Sequence, residues 1–121
     1  MKMFFVVPAL LAIFLATPVF ALVKTTGNGD SLNFDIQPIP TDLRPSFALM
    51  NKKCTQCHSM EIIVMAVLSG KCPETRQPFD KQTVKAYGIK MIRKKDSNIN
   101  KKEMRDIVVL LNHLLDVQAK K

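Results

Sequence analysis

The spacing of apolar residues divides the chain into an uncharged leader, an unpatterned arm and four helical stretches. Met3 to Leu22 carries no charged side chain, and apolar residues run almost unbroken from Phe4 to Leu15 behind the single basic Lys2. Leu22 to Pro40 shows no helical period. Gly27-Asn28-Gly29-Asp30-Ser31, Pro38 and Pro40 predict turns there, and the arm either lies across the domain surface through Phe34 and Ile36 or is a tether behind the leader. A first helix is predicted from Asp42 or Pro45 into the first central cysteine, with Phe47 and Met50 sharing a face. A second covers Met60 to Leu68 and stops at Ser69-Gly70, where glycine takes a left-handed cap. Pro73 and Pro78 bracket a loop. A third helix starts on Asp80 as its cap and runs through Val84, Tyr87 and Met91, with Gly88 a weak point. The last is the clearest: Asn100 and Glu103 match a capping box, and Met104, Ile107, Val108, Leu111 and Leu115 mark one face. Val109, Leu110 and Leu114 widen that face. No strand alternation, repeat or glycine-rich phosphate loop is present, so the pattern predicts an all-α domain over 41–121, behind an irregular arm over 22–40.

The leader changes the picture first. A short basic end, an apolar run broken at Thr17-Pro18, and Val19-Phe20-Ala21 fit a signal peptide over 1–21, cleaved after Ala21. An uncleaved anchor is the alternative, because twenty uncharged residues suffice to span a bilayer. Export places the protein in the periplasm. The formal charge is +8; without Lys2 the remaining 17 basic and 10 acidic residues leave +7. Such a balance suits nucleic acid, an anionic membrane surface or an acidic partner. Export argues against nucleic acid and leaves acidic partners, with peripheral membrane association open. A chain this short builds a marginal core and gains from a staple such as a disulfide, a metal or a large apolar cofactor.

Cys54-Thr55-Gln56-Cys57-His58 supplies the chemistry. Two thiols separated by two residues can add to the vinyl groups along one porphyrin edge, and the adjacent imidazole reaches the iron from the same side. Cys54 and Cys57 are therefore expected to attach one haem c, with His58 as its proximal ligand. Two other readings compete. A thioredoxin-like dithiol has the same spacing but needs a βαβ context that the sequence lacks. A zinc site from Cys54, Cys57, His58 and Cys72 has suitable donors, yet the adjacent Cys57 and His58 would both have to point at one ion. The sixth ligand is open from the residues alone. Met60 and Met65 follow His58 too closely and suit core packing, Met104 lies on an apolar helix face, and His113 lies toward the solvated side. Met91 leaves enough chain to cross the ring edge.

From Met91-Ile92-Arg93-Lys94-Lys95-Asp96-Ser97-Asn98-Ile99 through Glu103 and Ile107-Val108-Val109-Leu110-Leu111, the sequence resembles small monohaem bacterial c-type cytochromes, over about Phe47 to Leu115. The resemblance implies a cytochrome c-like helical domain wrapped around the haem, with Met91 as distal ligand. The chain departs from that pattern in having Leu110 where an aromatic ring is usual, Val84 seven residues before the methionine where tryptophan is common, Gly88 in place of a bulkier residue, and no tryptophan at all. Cys72 has no partner once two thiols hold haem, so a buried, inert thiol is expected, with intermolecular pairing or a reactive thiol the alternative. The Pro73 carbonyl is a candidate acceptor for the His58 ring, with Pro78 second.

His/Met ligation closes both axial positions and suits single-electron transfer without catalysis. Lys90, Arg93, Lys94, Lys95, Lys101, Lys102 and Arg105 place seven basic residues within sixteen positions, a candidate docking surface for acidic redox proteins. Two further functions are compatible with the motif: a haem subunit fixed in a larger oxidoreductase complex, and a diatomic-ligand-binding or sensing protein if the sixth position is open.

Overall fold

A computed structural model describes residues 22–120. The expected leader and its cleavage after Ala21 lie outside the described residues. Four helices carry the domain: α1 (Arg44–Cys54), α2 (Glu61–Ser69), α3 (Lys81–Arg93) and α4 (Lys101–Ala119). A 3-10 turn at Thr41–Leu43 leads into α1, and Pro45 occupies its first turn, where a missing N–H costs nothing. Asp80 caps α3 by accepting from the Thr83 N–H at 2.8 Å. Asn100 and Glu103 cap α4 reciprocally: the Asn100 side chain accepts from the Glu103 N–H at 2.8 Å, and the Glu103 carboxylate accepts from the Asn100 N–H at 3.1 Å. Gly70 ends α2 at φ 70°, the left-handed turn predicted for it.

The longest helix organises the rest. α4 packs against α1, α2 and α3, and its inner face contributes Met104, Ile107, Leu110, Leu111 and Leu114 to the core. Phe47 and Met50 of α1, Val64 and Val67 of α2, and Val84 of α3 meet it. Val109 does not widen this face as expected, because the helix turns it outward to 55 % exposure. Gly88 is a place of close approach between α3 and α4: a Cβ there would stand 3.1 Å from the Met104 side chain. No described helix is long and apolar enough to cross a membrane.

The arm departs from the all-α expectation. Thr25–Thr26 (β1) and Asn33–Phe34 (β2) pair antiparallel, with Thr25 opposite Phe34, around a 3-10 turn at Gly29–Ser31. Strands of two residues are too short for an alternation to be read in sequence. Gly27 is obligatory in the connection: at φ 73°, a side chain there would bring a Cβ within 2.3 Å of the Ser31 carbonyl. The arm belongs to the domain, for Phe34 and Ile39 are buried in the core. Ile36, named with Phe34 as a surface-covering residue, is exposed instead, and Ile39 takes that role. Polar ties reinforce the packing. The Asn33 amide donates to Asn51 of α1 at 2.6 Å, and Gln118 of α4 bridges the Val23 N–H and the Leu68 carbonyl at 3.3 and 3.2 Å. The domain is thus mostly helical with a small hairpin.

Candidate functional site

The cysteine–histidine motif sits where α1 gives out. Cys54 is the last residue of α1, and the turn over Thr55 to His58 leads to α2. Near the helix end, the Thr55 hydroxyl donates to the Asn51 carbonyl, and the Asn51 amide donates to the Phe47 carbonyl at 3.0 Å. The first of these satisfies a carbonyl that the helix terminus leaves unpaired. Cys54 is half-buried against the core, whereas Cys57 is exposed; neither is in a disulfide. Burial pushes the Cys54 thiol up to about 11. The position at the negative end of a helix also opposes a thiolate. A thioredoxin-like nucleophile needs the opposite, a thiol lowered by a helix N-terminus or a nearby cation. Cys54, at a helix C-terminus, lacks that setting.

His58 is half-buried, and its Nδ1 lies 3.0 Å from the Ser59 carbonyl. A carbonyl oxygen only accepts, so Nδ1 carries the proton and Nε2 of the neutral ring keeps its lone pair. That is the tautomer an axial imidazole needs, with the ring oriented by its second nitrogen. The acceptor is not Pro73, and not Pro78: the turn after His58 brings the next residue's own carbonyl to the ring, and Pro73 stands exposed in the loop between α2 and α3. No pattern of residue types marks this contact, because a backbone carbonyl has no signature in sequence.

A cleft of about 460 Å³ opens beside the motif, lined by Asp30, Asn33, Asn51, Cys57, His58 and Met60 among others. The hairpin thus forms part of the site's surroundings, a role the sequence pattern did not reveal. Met91 does not line this cleft. It lies in the last turn of α3, half-buried against the core. Met60 and Met104 are buried as expected of core methionines, whereas Met65, expected in the core, is 43 % exposed on α2. His113 is half-buried on α4.

The zinc donors do not converge. Among the described residues, no three His, Cys, Asp or Glu side chains form a group able to hold an ion. Cys72 is buried in the loop after α2, where its N–H donates to Gln77 O and its carbonyl accepts from Arg76 N–H, both at 2.8 Å. The neighbouring thiol raises the Tyr87 hydroxyl above its ordinary range. The motif presents two free thiols, three residues apart in sequence, beside the His58 imidazole.

All seven residues of the basic cluster are exposed. They occupy the end of α3, the following turn and the start of α4. Lys102 pairs with Asp106 at 3.1 Å, and the Lys90 ammonium stands 5.3 Å from the Tyr87 ring centre. Comparison with protein-family models, with curated proteins and with solved structures finds no match in any of the three.

Proposed function

We propose that this chain is an exported c-type haem protein that passes single electrons between redox partners in the periplasm. The observation carrying the proposal is the arrangement of Cys54, Cys57 and His58 at the end of α1, with the His58 ring already held in the tautomer that frees Nε2. Bound haem would supply the one-electron couple; the chain's residues supply attachment, orientation and surroundings. Cys54 and Cys57 would form thioethers, so the group could not be lost to solvent. The Ser59 carbonyl orients the imidazole and increases its basicity. Met91 is the proposed distal ligand. A thioether there favours the reduced state relative to a second imidazole, and a six-coordinate site leaves no position for substrate. Acidic redox proteins or a larger oxidoreductase complex are the proposed partners, approaching the basic face of α3 and α4.

An open sixth position is the second reading, favoured by one observation: Met91 lies away from the cleft that His58 lines. Such a site would bind diatomic ligands. Optical spectra of the purified protein with and without carbon monoxide separate the two. Electron transfer through a His58/Met91 site predicts a weak red-end charge-transfer band when oxidised and no carbon monoxide shift when reduced. Met91→Ala removes the band and makes the reduced protein bind carbon monoxide. A band that survives this substitution contradicts the Met91 assignment, and a parent protein that binds carbon monoxide supports the open site.

A further inference from the structure

α3 and α4 lie side by side and run in opposite directions. Gly88, midway along α3, meets Met104 and Val108 of α4, and Lys81 at the start of α3 pairs with Asp116 near the end of α4 at 2.8 Å. Val84 of α3 and Ile107, Leu111 and Leu114 of α4 turn into the core. The helical period then sets what the pair turns outward. Lys85, Ile89 and Arg93 follow at intervals of four on α3, Lys101, Arg105 and Val109 do so on α4, and all six are exposed. The antiparallel arrangement brings Arg93 and Lys101 to the same end, next to the connecting turn.

This face is basic without being ion-paired. The acids beside it are already engaged: Asp106 with Lys102 at 3.1 Å, Asp116 with Lys81, and Glu103 with Lys53 at 3.6 Å. Lys85, Arg93, Lys101 and Arg105 have no ion-pair partner among the described residues. Between them stand two aliphatic side chains, Ile89 at 43 % exposure and Val109 at 55 %. None of the six lines the clefts at the motif, at the end of α4 or at the α3–α4 turn. The face therefore combines positive charge with exposed aliphatic groups and shares none of these recesses.

We propose that this face rests on an anionic lipid surface, with Lys85, Arg93, Lys101 and Arg105 meeting the lipid phosphates and Ile89 and Val109 entering below the headgroups. Basic side chains suit that position because their stems lie along apolar surface while the charged ends reach the phosphates. Buried aliphatic area and attraction to anionic lipid then act together. An acidic protein presents its carboxylates at fixed points, whereas these four basic groups are fixed by no ion pair; a lipid surface presents phosphate wherever they reach. The inference goes beyond the haem reading and does not depend on it. Contact of this kind is reversible, so lipid and an acidic redox partner would exchange on the face.

The test is co-sedimentation of the exported protein with vesicles of phosphatidylcholine, alone or mixed with phosphatidylglycerol. The mixed vesicles are expected to bind at least about tenfold more tightly, and salt near 1 M, where screening leaves a range of about 3 Å, should release the protein. Arg93→Gln/Lys101→Gln/Arg105→Gln is expected to weaken binding by more than about tenfold. Ile89→Ser/Val109→Ser, which keeps every charge, should weaken it about tenfold. Lys24→Gln/Lys71→Gln/Lys120→Gln removes as much charge from exposed lysines near the far end of α4 and should cost less than about threefold. Every substituted side chain is exposed, so far-ultraviolet spectra and melting should match the parent. Equal losses from the two triple variants would make net charge the cause and overturn the assignment to this face. Unchanged binding by Ile89→Ser/Val109→Ser would do the same for its placement in the lipid. Binding to neutral vesicles that survives high salt overturns the proposal in favour of an uncleaved leader. No vesicle binding, with polyglutamate bound through Arg93, Lys101 and Arg105, overturns it in favour of an acidic protein. All of these outcomes leave the question of covalent haem untouched.

Discussion

At the residue scale, two small polar decisions organise the molecule. His58 donates its Nδ1 proton to the carbonyl of its own neighbour, which fixes the nitrogen left for a metal. Asp80 accepts from Thr83 through backbone and hydroxyl, at 2.8 and 3.0 Å, and these bonds lower its carboxyl from the ordinary value near 3.8. A carboxyl depressed on folding contributes stability that is fully present above its unfolded pKa and is lost as pH falls through the folded value. The Asp80 contribution should therefore disappear only below about pH 4. Asp80→Asn keeps the capping oxygen and removes the titration. Its melting temperature at pH 7 should lie near the parent's, while its loss of stability toward pH 2 should be shallower; melting curves across that range with an unchanged acid limb would refute the assignment. Asp80 as a cap was visible in sequence because the capping residue and the apolar period coincide. The Ser59 carbonyl was not visible, because a backbone oxygen has no signature in the pattern of residue types.

At the scale of elements, the helices were legible and the arm was not. Each helix carries a period or a boundary signal: Phe47 with Met50 in α1, Gly70 after α2, Asp80 before α3, and the Asn100–Glu103 box before α4. The arm has short runs whose burial depends on contacts far along the chain, so Phe34 and Ile36 looked equivalent, and Ile39 went unnoticed between two prolines. Burial separates them. Removing the Phe34 ring should cost about 3–5 kcal/mol by leaving a cavity, whereas Ile36→Ala should change stability by no more than about 0.5 kcal/mol. Urea denaturation of both variants measures the difference. Equal, small effects would mean that the arm is a tether and not part of the core. Val109 and Met65 carry the complementary lesson. An apolar residue on an apolar helix is read as core, but a helix rotates only one stripe inward, and these two fall outside it.

At the scale of the whole molecule, excess positive charge gathers where α3 ends and α4 begins. Lys90, Arg93, Lys94, Lys95, Lys101, Lys102 and Arg105 are all exposed, on both sides of the turn between the two helices. Charge of one sign on one face steers oppositely charged partners, and salt screens it over about 8 Å at physiological ionic strength. Stopped-flow oxidation of the reduced protein by ferricyanide, an anion, should slow as salt is added, and replacing Lys94 and Lys95 with Gln should flatten that dependence. Rates independent of salt would remove the docking role from this face. All of this depends on the fate of Cys54 and Cys57, which the haem reading assigns to thioethers and every competing reading leaves as thiols, a disulfide or metal ligands. The most direct test is the intact mass of the exported protein under denaturing, reducing conditions, together with haem-dependent staining of the denatured chain. The account predicts one haem retained on the unfolded polypeptide, with retention lost when Cys54 and Cys57 are both changed to Ala. A chain that emerges at its bare polypeptide mass, with two alkylatable thiols at Cys54 and Cys57, would contradict it.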